Sequence, residues 1–390
     1  MIQQSKAMDR LPKQFFAALV KKAQEMSAEH DDMINLGQGN HDKPTPSHIV
    51  DALKQGAENP AYHRYGPFSG YLFLKEAVAG YYKREYGVEL DPKTEVAIVP
   101  GTKTGIVELC QCLLSPGEVA LVPDPGYPDY WSGIAIAGAT MHPMALKEQC
   151  QFLPDYRELS DATRRAAKMM FLNYPNNPTG VRAHASFFEK TVAFAAKHEI
   201  SVVHDFAYGA IGYDEKPRSF LQSEGAKEVG VELFTMSKLY NMAGWRVGFV
   251  VGNAQIVNML ETLQDHYHCS IFGGLQEAAA HALNEEQTSV DRLVDMYRSR
   301  RDALVKAARE IGWEVTAPQG SFFAWFPVPK GYDSQAFSDL LLEKAHIVTA
   351  PGIGFGAHGE GYVRLGLLAE EDVLVEAVHR VGKLGLFKNE

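Results

Sequence analysis

Short β-rich runs alternate with helical stretches through the middle of the chain, and this alternation constrains the fold more than any other feature of the sequence. The runs are Val96–Val99, Val119–Val122, Met169–Leu172, Ser201–His204 and Val247–Val251. Helical patterns lie between several of them, as at Thr104–Leu114 and Ser186–His198. Alternation on this scale is typical of an α/β domain. The sequence therefore predicts a mainly parallel sheet flanked by helices.

The C-terminal part follows a different pattern. A long helical region is predicted from about Gln276 to Ile311. The strand candidates after it are Phe322–Phe326 and Tyr362–Leu365. These elements indicate a smaller α+β unit.

The N-terminal segment contains two predicted helices. Gln14–Glu25 has apolar residues at helical spacing, and Ser47–Glu58 begins with a serine that we expect to cap it. We expect a large domain at residues 48–280. A small domain is expected to combine residues 1–47 with residues 281–390.

Charge and hydropathy argue against two classes of partner. The net charge is −10, whereas binding to nucleic acid needs a basic face. No apolar run approaches the roughly 20 residues of a membrane-spanning helix. The N-terminus has neither the apolar core nor the cleavage site of a signal peptide. We therefore expect a cytoplasmic protein that binds neither nucleic acid nor membranes.

The four cysteines also indicate a cytosolic protein. Cys110, Cys112, Cys150 and Cys269 form no CxxC pair and show no ligand spacing with histidine. We expect reduced, buried thiols and no metal site.

Four segments carry groups with distinctive chemistry. They are NYPNNPTG at 173–180, HDFAY at 204–208, TMSKLYNMAGWRVG at 235–248 and GYVRL at 361–365. Together they offer an amine, a carboxylate, hydroxyls and two guanidinium groups. Pyridoxal 5′-phosphate (PLP) needs such a set. Its aldehyde forms an imine with a lysine, its ring nitrogen pairs with a carboxylate, and its phosphate needs amides, hydroxyls and an arginine.

The positions of these groups fit the predicted fold. Asp205 follows a predicted strand, at the edge where ligands collect in open α/β sheets. Lys238 lies in what we expect to be a small polar loop, and Arg246 follows it between two glycines. The segment GTKTG at 101–105 follows a strand and precedes a helix, which is the geometry of a phosphate cradle.

The run SKxxxxxGxRxG at 237–248, with NPTG at 177–180 and DxxY at 205–208, resembles the class I and II aminotransferases of PLP fold type I. The resemblance covers nearly the whole chain. It implies a large domain with a mainly parallel, mixed sheet and a small α+β domain. It also implies a homodimer with shared active sites, which binds an amino acid and a 2-oxo acid.

The resemblance implies a role for each group around the PLP ring. Lys238 corresponds to the lysine that bonds the cofactor and moves the proton. Asp205 corresponds to the partner of the ring nitrogen. Tyr208 and Asn177 correspond to donors to the phenolic oxygen, and Tyr127 to the aromatic residue that stacks on the ring. Lys238, Asp205 and Tyr208 are the expected catalytic residues.

Contacts to the phosphate follow from the same resemblance. Thr235, Ser237 and Arg246 correspond to side-chain contacts, and the backbone amides of Thr102 and Lys103 to the cradle. Thr235 stands where serine is common, and it keeps the hydroxyl.

Further correspondences concern the substrate and the neighbouring subunit. Tyr65 corresponds to the tyrosine that reaches the neighbouring subunit's phosphate. Arg364 corresponds to the clamp of the substrate α-carboxylate, assisted by Gly39 and Asn177. His41 departs from the family, because that loop often has proline at this position.

The fold alone leaves the reaction open, because it also hosts C–S lyases and decarboxylases. The predicted clamp and DxxY suit transamination and leave a lyase as an alternative. A PLP-binding regulator would need a DNA-binding module, for which the N-terminal segment is too short.

Several stretches resemble the methionine-salvage transaminases of Gram-positive bacteria, which convert 4-methylthio-2-oxobutanoate to methionine. They are LPKQFFAAL, INLGQG, PDPGYPDYWSG, HDFAYGAIGYD and MSKLYNMAGWRVGF. The closing APGIGFGAHGEGYVRLGL also resembles LL-diaminopimelate and aspartate-type enzymes. Aspartate-, aromatic- and LL-diaminopimelate-type activities therefore stay open as alternatives.

Overall fold

The structure is a computed structural model that describes residues 2–13 and 15–387. The predicted helix Gln14–Glu25 therefore begins at a residue outside the described part. The strands are β1 Ile34–Asn35, β2 Val96–Val99, β3 Val119–Asp124, β4 Thr140–Ala145, β5 Ala167–Asn173, β6 Ser201–Asp205, β7 Gly230–Thr235, β8 Gly248–Gly252, β9 Phe323–Pro327, β10 Ile347–Val348, β11 Ala350–Pro351 and β12 Tyr362–Gly366.

The helices flank these strands, and three of them have only four residues each. They are α1 Lys6–Asp9, α2 Phe15–Glu29, α3 Ser47–Glu58, α4 Leu72–Tyr86, α5 Thr102–Leu113, α6 Asp129–Ala137, α7 Asp161–Ala166, α8 Ala185–His198, α9 Ala226–Val229, α10 Met236–Leu239, α11 Ala254–Tyr267, α12 Gly273–Asn284, α13 Thr288–Glu310, α14 Ser334–Ala345 and α15 Glu371–Lys383. Within the described residues, no helix combines the length and apolar character needed to cross a membrane.

Seven strands form the central sheet, in the order β2-β8-β7-β6-β5-β3-β4. All neighbours pair in parallel except β8, which runs antiparallel to both β2 and β7. The predicted α/β class with a mainly parallel, mixed sheet is confirmed. The carboxyl ends of the parallel strands meet at one edge, where ligands bind in such sheets.

Two strands of this sheet were absent from the predicted set. β4 carries His142 and Pro143, which break its apolar pattern. β7 carries Glu232, whose side chain is fully buried. Glu232 Oε2 pairs with His204 Nδ1 at 2.9 Å, and Oε1 accepts from Tyr82 Oη at 2.8 Å. A buried carboxylate is tolerated because its oxygens are bonded, and that pairing cannot be read from local periodicity.

Two smaller sheets join the ends of the chain. β9, β11 and β12 form an antiparallel sheet, and β1 pairs in parallel with β10. The register aligns Ile34 with Ile347, so the N-terminal segment is tied to the C-terminal part. This pairing agrees with a small domain built from both termini, and the boundaries at residues 48 and 280 stay predictions.

Three local expectations are wrong. The helical region predicted at 276–311 is two helices, α12 and α13, because Gln287 Nε2 donates to Ala282 O and Glu285 O and ends α12. Ser47 is the first residue of α3 rather than its cap, because Pro46 occupies the cap position. Of the four free cysteines only Cys110 is buried, and Cys269 is exposed on the segment after α11.

Candidate active site

A cavity of about 550 Å³ lies at the carboxyl edge of the parallel strands, between the central sheet and the small sheet. Apart from Tyr65, all the site residues expected from the sequence line it. They are Gly39, Thr102, Lys103, Tyr127, Asn177, Asp205, Tyr208, Thr235, Ser237, Lys238, Arg246 and Arg364. The fold thus brings residues that are far apart in the sequence, from the loop after β1 to β12, into one site.

Seven further residues, which were not predicted from the sequence, also line the cavity. They are Val20, Gln38, Asn40, Asn173, Ala207, Ala243 and Phe323. Gln38 and Asn40 flank Gly39, and Asn173 opens the NYPNNPTG segment, so those motifs could have indicated them. Val20 and Phe323 have only the pattern of core residues, and no local signal distinguishes them.

Lys238 lies in the short helix α10 and not in the polar loop that we expected. Thr235 Oγ1 caps this helix by accepting from Ser237 N at 3.1 Å. Lys238 Nζ donates to Gly39 O at 3.1 Å. Burial, reinforced by the charges of Arg364 and Arg246, lowers the pKa of Lys238 to about 8. A larger fraction of this amine than of an ordinary lysine is therefore neutral near physiological pH, and the neutral amine is the nucleophilic form.

Asp205 is the last residue of β6, and its carboxylate is buried. Oδ2 accepts from Tyr130 Oη at 2.8 Å, and Oδ1 accepts from Ala207 N at 3.2 Å. Burial raises the pKa of Asp205, and the hydrogen bond from Tyr130 opposes that rise. The two donors favour the charged form of a carboxylate that solvent cannot stabilise.

Arg364 on β12 is buried, and its guanidinium lies close to two aromatic rings. Its guanidinium carbon lies 3.9 Å from the Phe323 ring centroid and 4.7 Å from that of Phe355. Nη1 donates to Asn177 Oδ1 at 2.8 Å, and Nη2 donates to Gly37 O at 2.9 Å. Burial lowers the pKa of Arg364 to about 9. These contacts fix the plane of a fork that suits a carboxylate.

The start of α5 lies beside Arg246 and forms a concave, cationic surface. Gly101 has φ +86°, and a Cβ built there would lie 2.0 Å from Arg246 Nη2, so this close approach requires glycine. The first amides of α5 have no partner within the helix. With the hydroxyls of Thr235 and Ser237 in the same cavity, this set of donors suits a phosphate.

Aromatic residues form the remaining walls. Tyr127 packs edge-on against Tyr130, with ring centroids 5.6 Å apart. Tyr208 packs edge-on against Phe322 and Phe323, and burial raises its pKa. Lys103 Nζ lies 3.0 Å from Asp129 Oδ2, so its charge is already paired.

His41 has both ring nitrogens engaged. Nδ1 lies 3.0 Å from Lys43 O, and Nε2 lies 3.4 Å from Ala243 N. Burial lowers the pKa of His41, which favours a neutral ring that donates from Nδ1 and accepts at Nε2. The histidine thus ties its loop to the segment after α10, in place of the proline that the family often has.

Tyr65 does not line the cavity, and it is 88% exposed. Its position leaves it available to another molecule, and its role stays a prediction.

The donors in the cavity meet the requirements of PLP in kind and number. Lys238 offers an amine, Asp205 a buried carboxylate, and the start of α5 with Arg246 offers a phosphate cradle. The close approach of Arg246 to Gly101 is the structural feature that this fit depends on.

One group of possible metal ligands occurs away from the cavity. Within the described part of the chain, ligand atoms of His30, Asp32 and His346 lie within 4.8 Å of one another. Asp32 is already paired there, with His346 Nδ1 at 2.7 Å and with Arg380 Nη1 at 3.2 Å. These pairs explain the cluster as an ionic contact between α15 and the segment before β1.

Comparisons with known proteins agree with this geometry. Residues 31–381 match the family model described as aminotransferase class I and II. The chain is 58% identical to the L-glutamine–4-(methylsulfanyl)-2-oxobutanoate aminotransferase of Bacillus subtilis, over 99% of this chain and 97% of that protein. It is 44% identical to an LL-diaminopimelate aminotransferase of Desulforudis audaxviator, over 98% of each chain. Substrate-bound BacF from Bacillus subtilis superposes with a TM-score of 0.95 at 47% identity, covering 100% of both chains.

Proposed function

Because the chain belongs to the class I and II aminotransferases and is a PLP-dependent enzyme, we propose that it transfers the amino group of glutamine to 4-(methylsulfanyl)-2-oxobutanoate and forms methionine. The observation that carries this substrate assignment is 58% identity, along 99% of the chain, to the Bacillus subtilis enzyme with that activity. The reaction would be the amino-transfer step of methionine salvage.

Lys238 is the base that moves the proton. When bound, PLP supplies a carbonyl carbon that accepts nitrogen and a ring that withdraws electrons from the substrate Cα. With a pKa near 8, Lys238 Nζ is a ready nucleophile and base at physiological pH. Asp205 would hold a proton on the ring nitrogen, because a buried carboxylate stabilises a positive charge beside it. Tyr208 and Asn177 would donate to the phenolic oxygen of the ring.

Arg364 binds the α-carboxylate that every substrate of the two half-reactions shares. Its guanidinium is held in place by Asn177 and by the carbonyl of Gly37. Gly39 lines the same cavity and would donate its backbone amide to the carboxylate. Thr235, Ser237, Arg246 and the amides of Thr102 and Lys103 would hold the phosphate of PLP. Tyr127 would stack on its ring.

The charges of the cavity favour substrates with neutral side chains. Among the described lining residues, the cations are Lys103, Lys238, Arg246 and Arg364. The last three have roles in catalysis, phosphate binding and α-carboxylate binding, and Lys103 is paired with Asp129. Among these described lining residues, a second carboxylate would find no cation that lacks another role. Glutamine and the thioether acid are both neutral at their side chains, and Val20 and Phe323 offer apolar contact.

LL-diaminopimelate aminotransferase activity is the second candidate, because several relatives at about 40% identity carry that name. Its substrate has a second ammonium and a second carboxylate. The cavity charges described above disfavour that substrate.

A homodimer with two shared active sites completes the proposal. Tyr65 lies outside the cavity of its own chain and is exposed, so it can serve the site of a second copy. Phe68 and Leu72, close to it in the sequence, and Phe272 are also exposed. Burial of exposed apolar side chains favours association. Sedimentation at assay concentration tests this, and an active monomer would refute it. The cytoplasmic location stays a prediction.

The experiment compares acceptors and reactions on the purified holoenzyme. With glutamine as donor, 4-(methylsulfanyl)-2-oxobutanoate should give a higher kcat/KM than oxaloacetate, phenylpyruvate or the oxo form of LL-diaminopimelate. Incubation with cystathionine should release ammonia and pyruvate far more slowly. A preference for a dicarboxylic acceptor would contradict the substrate assignment, and comparable release from cystathionine would support the lyase alternative.

A further inference from the structure

The segment Gly352–Gly359 connects β11 to β12 and docks on the end of β3. We call it the docking segment. It consists of two short 3₁₀ turns, Gly352–Phe355 and Ala357–Gly359. Its Phe355 carbonyl accepts from Gly126 N at 2.8 Å. The small sheet therefore touches the central sheet directly beside Tyr127.

A carboxylate at the end of β3 anchors the docking segment. Asp124 is 7% exposed, and both its oxygens accept from one residue. His358 N donates to Oδ1 at 3.0 Å, and His358 Nδ1 lies 3.0 Å from Oδ2. A carboxylate this buried needs such donors. The two bonds specify one register of the docking segment on the sheet.

The backbone of the docking segment is shaped around that carboxylate. Gly356 has φ +127°, and a Cβ built there would lie 2.0 Å from Asp124 Oδ1. Only glycine allows both the conformation and the approach. The close contact between Asp124 and the docking segment therefore depends on glycine at position 356.

Phe355 connects the docking segment to Arg364, the arginine proposed to bind the carboxylate. Its ring is fully buried, and the Arg364 guanidinium carbon lies 4.7 Å from its centroid. The Phe323 ring centroid lies 3.9 Å from the same carbon. A shift of the docking segment would move Phe355 away from the guanidinium and loosen its packing.

We propose that Asp124 and His358 are positioning residues for the substrate carboxylate, acting through Phe355 on Arg364. The inference rests on the proposed function, in which Arg364 binds the α-carboxylate. His358 does not touch the cavity, so it acts only through the docking segment.

The test measures carboxylate binding by the holoenzyme. The probe is 4-(methylsulfanyl)butanoate, which keeps the carboxylate and lacks the oxo group, and its affinity is measured by calorimetry. The variants are His358→Ala, His358→Asn and Arg364→Lys. His379→Ala is the matched control, because His379 is exposed on α15. The side chain of His358 is 45% exposed, so its removal leaves little cavity, and thermal unfolding checks the fold.

His358→Ala should weaken probe binding about five- to tenfold, the scale of one lost hydrogen bond in a charged site. KM should rise by a similar factor for every substrate, while kcat changes by less than about twofold. His358→Asn should restore binding, because its amide nitrogen can donate where Nδ1 does. His379→Ala should bind as the wild type does.

Two outcomes would overturn the proposal. One is unchanged probe affinity in His358→Ala, with or without a lower unfolding temperature. The other is an equal loss of affinity in His358→Asn and His358→Ala. If Arg364→Lys also binds the probe as the wild type does, the role of Arg364 in the proposed function has failed instead.

Discussion

Tyr130 donates a hydrogen bond from its hydroxyl to Oδ2 of Asp205 at 2.8 Å, and both side chains are buried. The Tyr130 ring stacks on Phe171, with centroids 4.5 Å apart, so the donor is held in place. Burial raises the pKa of Asp205, and this bond opposes the rise. The hydrogen bond therefore affects the fraction of Asp205 that is ionised. Asp205 must be ionised to pair with a protonated ring nitrogen.

Tyr130→Phe should raise the pKa of Asp205, because a donor to the charged form is lost. Asp205 acts when ionised, so activity falls as pH drops through its pKa. The acidic limb of the pH profile of kcat/KM should therefore move to higher pH. The dissociation constant of PLP should rise on the order of tenfold. Tyr156→Phe is the control, since Tyr156 bonds Thr191 away from the cavity. An unchanged limb and unchanged PLP affinity would contradict the assignment of Asp205.

Lys238 should be the lysine that bonds PLP. Reduction of the holoenzyme with borohydride should fix the cofactor to the peptide that contains Lys238, as read by mass spectrometry. Lys238→Ala should bind PLP without becoming labelled and lose nearly all turnover. Lys103, the other cavity lysine, is the internal comparison. Labelling of Lys103 instead would contradict the assignment of Lys238 as the lysine that bonds PLP.

The lowered pKa of Lys238 predicts a pH dependence for PLP uptake. Burial depresses the pKa to about 8, so the neutral amine increases as pH rises through that value. The rate at which apoenzyme captures PLP should rise up to about pH 8 and then level off. Stopped-flow absorbance measures this rate. A rate still rising tenfold per unit above pH 9 would mean that the amine has the pKa of an ordinary lysine.

Arg364→Lys should cost about 2–4 kcal/mol of transition-state stabilisation, because lysine keeps the charge and loses the fork. The loss should be similar for every donor and acceptor, since all share the α-carboxylate. The absorbance of bound PLP should barely change. Comparison of kcat/KM across several substrates measures this loss. A loss confined to one substrate would mean that Arg364 binds the side chain of that substrate and not the shared α-carboxylate.

Much of the fold and of the cavity follows from local sequence. The run Val96–Val99 forms a strand with the predicted bounds, because an apolar β-branched run needs no distant partner to be recognised. Lys238, Asp205 and Arg364 lie in motifs whose residue types meet the needs of one cofactor, and the fold brings them to one cavity.

What the sequence did not predict depends on contacts between distant segments. β7 was not predicted because Glu232 interrupts its apolar pattern. The partners that allow Glu232 to be buried, His204 and Tyr82, lie 28 and 150 residues away in the chain. Tyr130 lies in the stretch PDPGYPDYWSG, but nothing in that stretch shows that its hydroxyl bonds Asp205. The docking of His358 on Asp124 joins residues 234 positions apart, which no periodicity shows.

Transfer of labelled nitrogen from glutamine would show whether the enzyme forms methionine by transamination. Glutamine carrying ¹⁵N at its α-amino group is incubated with the holoenzyme and 4-(methylsulfanyl)-2-oxobutanoate, and the products are analysed by mass spectrometry. The account predicts methionine that carries the label, formed at the rate at which glutamine is consumed, and no labelled methionine from enzyme with Lys238→Ala. Unlabelled methionine, or label recovered only as ammonia, would contradict it.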